Sequence, residues 1–122
     1  MPRFVILWHK TPPGYPRAAH FDLMLECGET LRTWAMEKLP AHGETAIAER
    51  LPDHRLLYLD FEGEVQPQRG IVSRADAGQY DVDQDTAESL VVRLRGNKLR
   101  GILTLTLEDE SAQRWRVALS AG

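Results

Sequence analysis

From His20 to Glu26 the chain reads His-Phe-Asp-Leu-Met-Leu-Glu, and its side chains sort into two sets with the two-residue period of a β-strand. Phe21, Leu23 and Leu25 fall on one face; His20, Asp22, Met24 and Glu26 fall on the other. A helix would mix these sets, so the stretch commits this part of the chain to a sheet with one face on a core. On such a strand His20 and Asp22 stand about 6.6 Å apart, and both tips can reach one small ion. The alternative is a solvated strand face that carries two polar groups by chance.

The same period returns in the C-terminal third. Residues 90–95 alternate, Gly96-Asn97 supplies a hairpin turn, and Leu99, Gly101, Leu103, Leu105 and Leu107 share one face of the next strand. Trp115, Val117 and Leu119 alternate in a last strand, which completes an antiparallel meander. Near the start, residues 4–8 form a short apolar run of β-formers, predicting a strand buried on both faces and closed by His9. Three prolines and a glycine then stiffen residues 10–16 into a loop. That loop brings His9 back towards His20 and Asp22.

Cys27-Gly28-Glu29 turns the chain, and residues 31–36 read as the hairpin partner of the first stretch. Residues 45–51 suit a strand better than a helical turn. Asp53 is placed to cap a short helical turn that would set His54 and Tyr58 on one face. Residues 70–74 and 79–82 read as two short strands around a turn at 76–78, with a solvated acidic loop at 83–86. Trp8, Trp34 and Trp115 are expected in the core and His42 on the surface. The expected fold is mostly β: a small antiparallel β-barrel with one or two short helical turns, with a sandwich as the other architecture of this pattern.

At 122 residues and 43% hydrophobic, the chain has material for one core, so residues 1–122 are expected to form a single domain. No run approaches the ~20 apolar residues of a bilayer span, and the opening turns polar too soon for a signal peptide. The lone Cys27 excludes an internal disulfide and a thiolate zinc cage. A cytoplasmic location and no membrane partner are the expectations. Arg3, Lys10 and Arg17 open the chain without an acid, and Arg93, Arg95, Lys98 and Arg100 form a second acid-free block. Side by side, these blocks would make a positive face suited to a polyanion. Alternatively, they are outward residues that keep edge strands from aggregating.

His9, His20 and His54 fall at a strand end, on a strand's polar face and beside a helical turn. Two histidines and one aspartate leave open positions on a divalent ion for water or a substrate oxygen. A histidine and a tyrosine near such an ion could donate hydrogen bonds to a phosphate. The residue types therefore suit metal-assisted phosphoester chemistry. A competing reading takes His20, Asp22 and His54 as the facial triad of an iron(II) oxygenase.

Over most of its length the chain resembles the 3′-phosphoesterase domain of bacterial DNA ligase D. The likeness is carried by the strand ending in His9, by His20-Phe21-Asp22-Leu23-Met24-Leu25-Glu26, and by Arg32-Thr33-Trp34-Ala35-Met36-Glu37-Lys38. It continues in Asp53-His54-Arg55-Leu56-Leu57-Tyr58, Asp60-Phe61-Glu62-Gly63, Leu99-Arg100-Gly101 and Trp115. The resemblance implies a small antiparallel β-barrel and manganese held by His9, His20 and Asp22. It implies that His54, Tyr58 and Lys38 act at the phosphate. It also implies trimming of nucleic-acid 3′ ends, by removal of a terminal ribonucleoside and then a 3′-phosphate, to leave a hydroxyl for a DNA ligase. A separate ligase or end-binding protein would be the partner.

The departures from the family pattern are specific. Met24 stands where the family carries an arginine, and a thioether cannot grip phosphate oxygens as a guanidinium does. Leu7 replaces a glutamine and Pro52 a carboxylate. The loop after Phe61-Glu62-Gly63 is short, and Arg17 and Arg69 are the candidates to replace the missing cation. A non-catalytic relative that binds metal or DNA ends is the alternative function.

Overall fold

The computed structural model describes residues 2–121, most of them in strands. In chain order these are β1 (Arg3–Lys10), β2 (His20–Cys27), β3 (Thr30–Met36), β4 (Thr45–Arg55), β5 (Gly63–Glu64), β6 (Ile71–Asp85), β7 (Ser89–Gly96), β8 (Arg100–Asp109) and β9 (Arg114–Ser120). A 3₁₀ turn, Leu56–Leu59, follows β4. Two antiparallel meanders, β1 to β4 and β6 to β9, meet along β4–β9 and again along β1–β6. Eight strands thus close into an antiparallel barrel, and β5 is a short flap on β6. Closure leaves the barrel without open edges, which solves the pairing problem that any sheet of this size faces.

The interior is filled by alternate residues of these strands. Phe4, Ile6, Leu23, Leu25, Trp34, Val92, Leu94, Leu103, Leu105, Trp115, Val117 and Leu119 are buried together, as the period-two pattern predicts. Trp34 and Trp115 meet edge to face, with ring centroids 5.7 Å apart. Trp8 is only half-buried and packs on Phe21 at 4.7 Å.

A second apolar layer lies outside the barrel. Residues 56–72 fold back over β1 and β2, and Leu59, Val65 and Val72 close on Val5, Leu7, Met24 and Leu31. Both faces of β2 are therefore buried, and Asp22 and Met24 are 4% and 2% exposed. The Arg3 guanidinium fastens this cover by donating to both oxygens of Asp60, at 2.7 and 3.3 Å. The Arg74 backbone N–H adds a 2.7 Å bond to Glu62.

Several local expectations change. His54 lies on β4, and the helical turn begins only at Leu56. Asp53 does not cap that turn; it accepts hydrogen bonds from Thr30 and Arg50 instead. Residues 71–85 form one continuous strand, because β6 pairs with β1 along its first half and with β7 along its second. The acidic stretch after residue 80 belongs to that strand, so Asp81 and Asp83 lie beside Arg95 and Arg93 and pair with them. Arg3 is likewise paired with Asp60 and Arg17 with Glu49. The two basic blocks do not form one uncompensated face, since Arg93 and Arg95 are paired across β6–β7 and Arg3 and Arg17 by carboxylates from other parts of the chain.

Asp76 explains why β6 does not turn at residues 76–78. Its buried carboxylate accepts the backbone N–H groups of Ala77, Asn97, Lys98 and Leu99 at 2.8–3.1 Å, tying the β7–β8 turn to β6. The packing is close enough to require glycine at residue 96, where a Cβ would stand 2.4 Å from Asp76 Oδ2. Asp76→Ala would leave several N–H groups without a partner and is expected to cost about 3 kcal/mol in urea denaturation, with a smaller loss for Asp76→Asn.

Tyr80 is the second buried polar anchor, and its hydroxyl donates to the Glu26 carbonyl oxygen at 2.5 Å. Burial pushes its pKa from 10.0 up to about 12. Below about pH 10 both the folded and unfolded chains keep the phenol proton, and the contribution to stability is whole. Above that, the unfolded chain loses the proton first, so stability falls as pH rises towards about 12. Melting temperatures followed through this window are expected to fall less steeply for Tyr80→Phe than for the wild type.

Candidate metal centre

β1 and β2 pair in a register that sets Val5 opposite Met24, Leu7 opposite Asp22 and His9 opposite His20. Their shared parity puts His9, His20 and Asp22 on the outer face, at the end of the apolar layer. The two imidazole rings meet edge to face at 5.0 Å. His9 Nδ1 lies 3.8 Å from Asp22 Oδ2, and His20 Nε2 lies 3.2 Å from Asp22 Oδ1. One ligand atom from each of the three side chains falls within 4.8 Å of the others.

Backbone carbonyls orient both rings. His9 Nε2–H donates to the Arg69 carbonyl oxygen at 2.6 Å, and His20 Nδ1–H donates to that of Ala18 at 2.8 Å. With those protons committed, the opposite ring nitrogens turn their lone pairs towards the carboxylate. Among the described residues no well-aligned donor serves the buried Asp22 Oδ1, and its polar neighbour is His20 Nε2 at 3.2 Å. Electron-rich atoms facing one another away from water are stable only with a positive charge among them. Burial pulls the His20 pKa down, but contact with Asp22 outweighs it and the pKa is raised. Two imidazole nitrogens and a carboxylate are a donor set for a divalent transition metal, and they fit one in chemistry and tautomer.

The family model of the DNA ligase D 3′-phosphoesterase domain matches residues 14–107. The chain belongs to that family. It is also 34% identical to the multifunctional non-homologous end joining DNA repair protein LigD of Mycobacterium tuberculosis (strain ATCC 25618 / H37Rv). That match covers 92% of this chain and 15% of the relative, so the chain spans only a small part of that protein's length.

The other expected site residues lie at varying distances from the triad. His54 faces Leu31 across β3–β4, whereas Asp22 faces Ala35 across β2–β3. Leu31 and Ala35 are about 13 Å apart along β3, and Met24 occupies the space between, opposite Thr33. His54 donates Nδ1–H to the Pro52 carbonyl at 2.8 Å and packs on Tyr58 at 5.9 Å. The histidine that completes the three-residue cluster is His9, so an iron(II) triad with His54 as third ligand does not form. Lys38 is exposed and lines a groove of about 730 Å³ together with His20, Arg17 and Arg114.

Two features of the site lie in the backbone and not in functional side chains. The orienting groups on His9 and His20 are backbone carbonyls, which any residue carries. Gly70 has φ +101°, and a Cβ there would lie 2.1 Å from the Lys10 carbonyl oxygen. Glycine is thus what lets the neighbouring Arg69 carbonyl reach His9. Gly70→Ala is expected to weaken divalent-metal uptake about tenfold, measured by cobalt(II) titration, because His9 loses its orienting acceptor.

Proposed function

We propose that this chain is a metal-dependent 3′-phosphoesterase acting on nucleic-acid ends in DNA repair, with manganese held by His9 Nδ1, His20 Nε2 and the Asp22 carboxylate. The observation that carries this reading is the buried Asp22 carboxylate between two imidazoles, each with one ring nitrogen held on a backbone carbonyl and the other turned to the carboxylate. When bound, a divalent ion supplies Lewis-acid polarisation of a phosphoryl oxygen and compensates developing charge. The chain's own residues position the substrate and handle the proton.

By likeness to the family, His54 is assigned the leaving oxygen; with Nδ1–H held by Pro52 it protonates that oxygen only as an imidazolium, through Nε2–H. It stands on the packed Met24 flank, so the nucleic acid would have to lie across that flank to reach both His54 and the triad. Tyr58, packed against that ring and against Phe61, is assigned a hydrogen bond to the phosphate. Lys38 adds a cation at the groove beside His20. Removal of a 3′-phosphate or a 3′-ribonucleotide would leave a hydroxyl, so a DNA ligase or end-binding protein is the partner this chemistry serves.

One observation favours a second reading, a non-catalytic relative that binds metal or DNA ends. Met24, at the position of the family arginine, is sealed with Leu7 in the outer apolar layer, which removes a phosphate donor on that side. Turnover decides between them. Purified protein with manganese is expected to release phosphate from a 3′-phosphorylated DNA oligonucleotide, and His20→Ala or chelation to abolish release. Metal binding with no release from any 3′ end would favour the non-catalytic relative.

A further inference from the structure

The triad has two flanks along the outer barrel wall, and they differ. Towards the middle of β1 and β2, Leu7, Met24, Leu59 and Val72 are packed dry. Towards the end of the barrel, His20 opens into the groove of about 730 Å³ that crosses β3 and β4 to β9. The small Ala35, opposite Asp22, and the 53% exposed Ile47 form its apolar floor. Arg17, Lys38 and Arg114 are its cations, and Glu37 and Glu49 its carboxylates. Arg114 lies beyond residue 107, outside the segment matched to the family.

We infer that this groove receives the terminal nucleotide of a nucleic-acid strand, and that Arg17 grips its phosphate in place of the arginine lost at Met24. The inference rests on the proposed function for the identity of the ligand. Arg17 and His20 line the same groove, and Ala18 between them supplies the carbonyl that orients the His20 ring. A 3.0 Å ion pair with Glu49 holds it there, both partners being partly exposed. Exposed pairs contribute little, so a phosphate can take over the guanidinium N–H groups at small cost. Arg114 is held in the same manner by Asp109 at 3.7 Å. The apolar floor suits the sugar and base, and the volume is in the range of small-ligand sites.

The test is equilibrium binding, by fluorescence anisotropy in EDTA, of a 5′-labelled single strand ending in a 3′-phosphate. Arg17→Gln is expected to weaken binding about fivefold and to reduce the slope of log K against log salt by about 0.7. Glu49→Gln, which releases Arg17 and removes a negative charge, is expected to tighten binding. Arg93→Gln, on β7 across the barrel, serves as the control and is expected to change neither quantity. Absence of binding by the wild type, or unchanged affinity in folded Arg17→Gln and Glu49→Gln, overturns the inference even if the wild type releases phosphate. The two expected shifts in a protein that shows no turnover would sustain the groove and count against the phosphoesterase reading alone.

Discussion

His9 and His20 face one another because β1 and β2 pair antiparallel in a single register, and everything proposed for this chain follows from that register. A slip of one residue would turn His9 or the His20–Asp22 pair to the opposite side of the sheet. Two buried layers forbid the slip. Phe4, Ile6, Leu23 and Leu25 belong inside the barrel, while Val5, Leu7 and Met24 belong under the outer cover. Each layer would lose its apolar packing if the other set were presented to it. The closed barrel also holds β1 from its other edge, through β6.

The outer cover does two things at once. Its apolar residues seal Met24 and Leu7, and its Arg69 carbonyl fixes the His9 ring. Sealing and orientation therefore depend on the same segment, attached by Arg3–Asp60 and by the close approach at Gly70. The two apolar replacements in the family pattern, Leu7 and Met24, are neighbours in space and share one consequence. They convert a flank that could hold phosphate into packed interior, and leave the approach to the triad on the side of His20, Arg17 and Lys38.

Much of the barrel was legible as alternation, because a two-residue period has one physical meaning in a sheet with a buried face. The meander of β7, β8 and β9 and the hairpin of β2 and β3 were readable for that reason. The region around Asp76 misled, since Asp-Ala-Gly is turn chemistry only where local bonds decide; here the carboxylate is taken by N–H groups from the β7–β8 turn. The helical turn expected at His54 begins at Leu56 because β3 keeps His54 in its ladder. The basic blocks were legible as composition, but which acid meets each arginine depends on the β6–β7 register and, for Arg3 and Arg17, on Asp60 and Glu49, which are distant in sequence.

By itself, the order of residues determined the strand faces, the barrel class and the family, and it named His9, His20 and Asp22 as side chains able to hold an ion. These are matters of local period and side-chain chemistry. Which nitrogen of each ring faces the carboxylate, how Asp22 comes to be buried between the two rings, and which flank of the triad stays open were decided by tertiary structure alone. The reason is that carbonyls, ladder neighbours and a cover from residues 56–72 act across space, and none of them leaves a periodic trace along the chain.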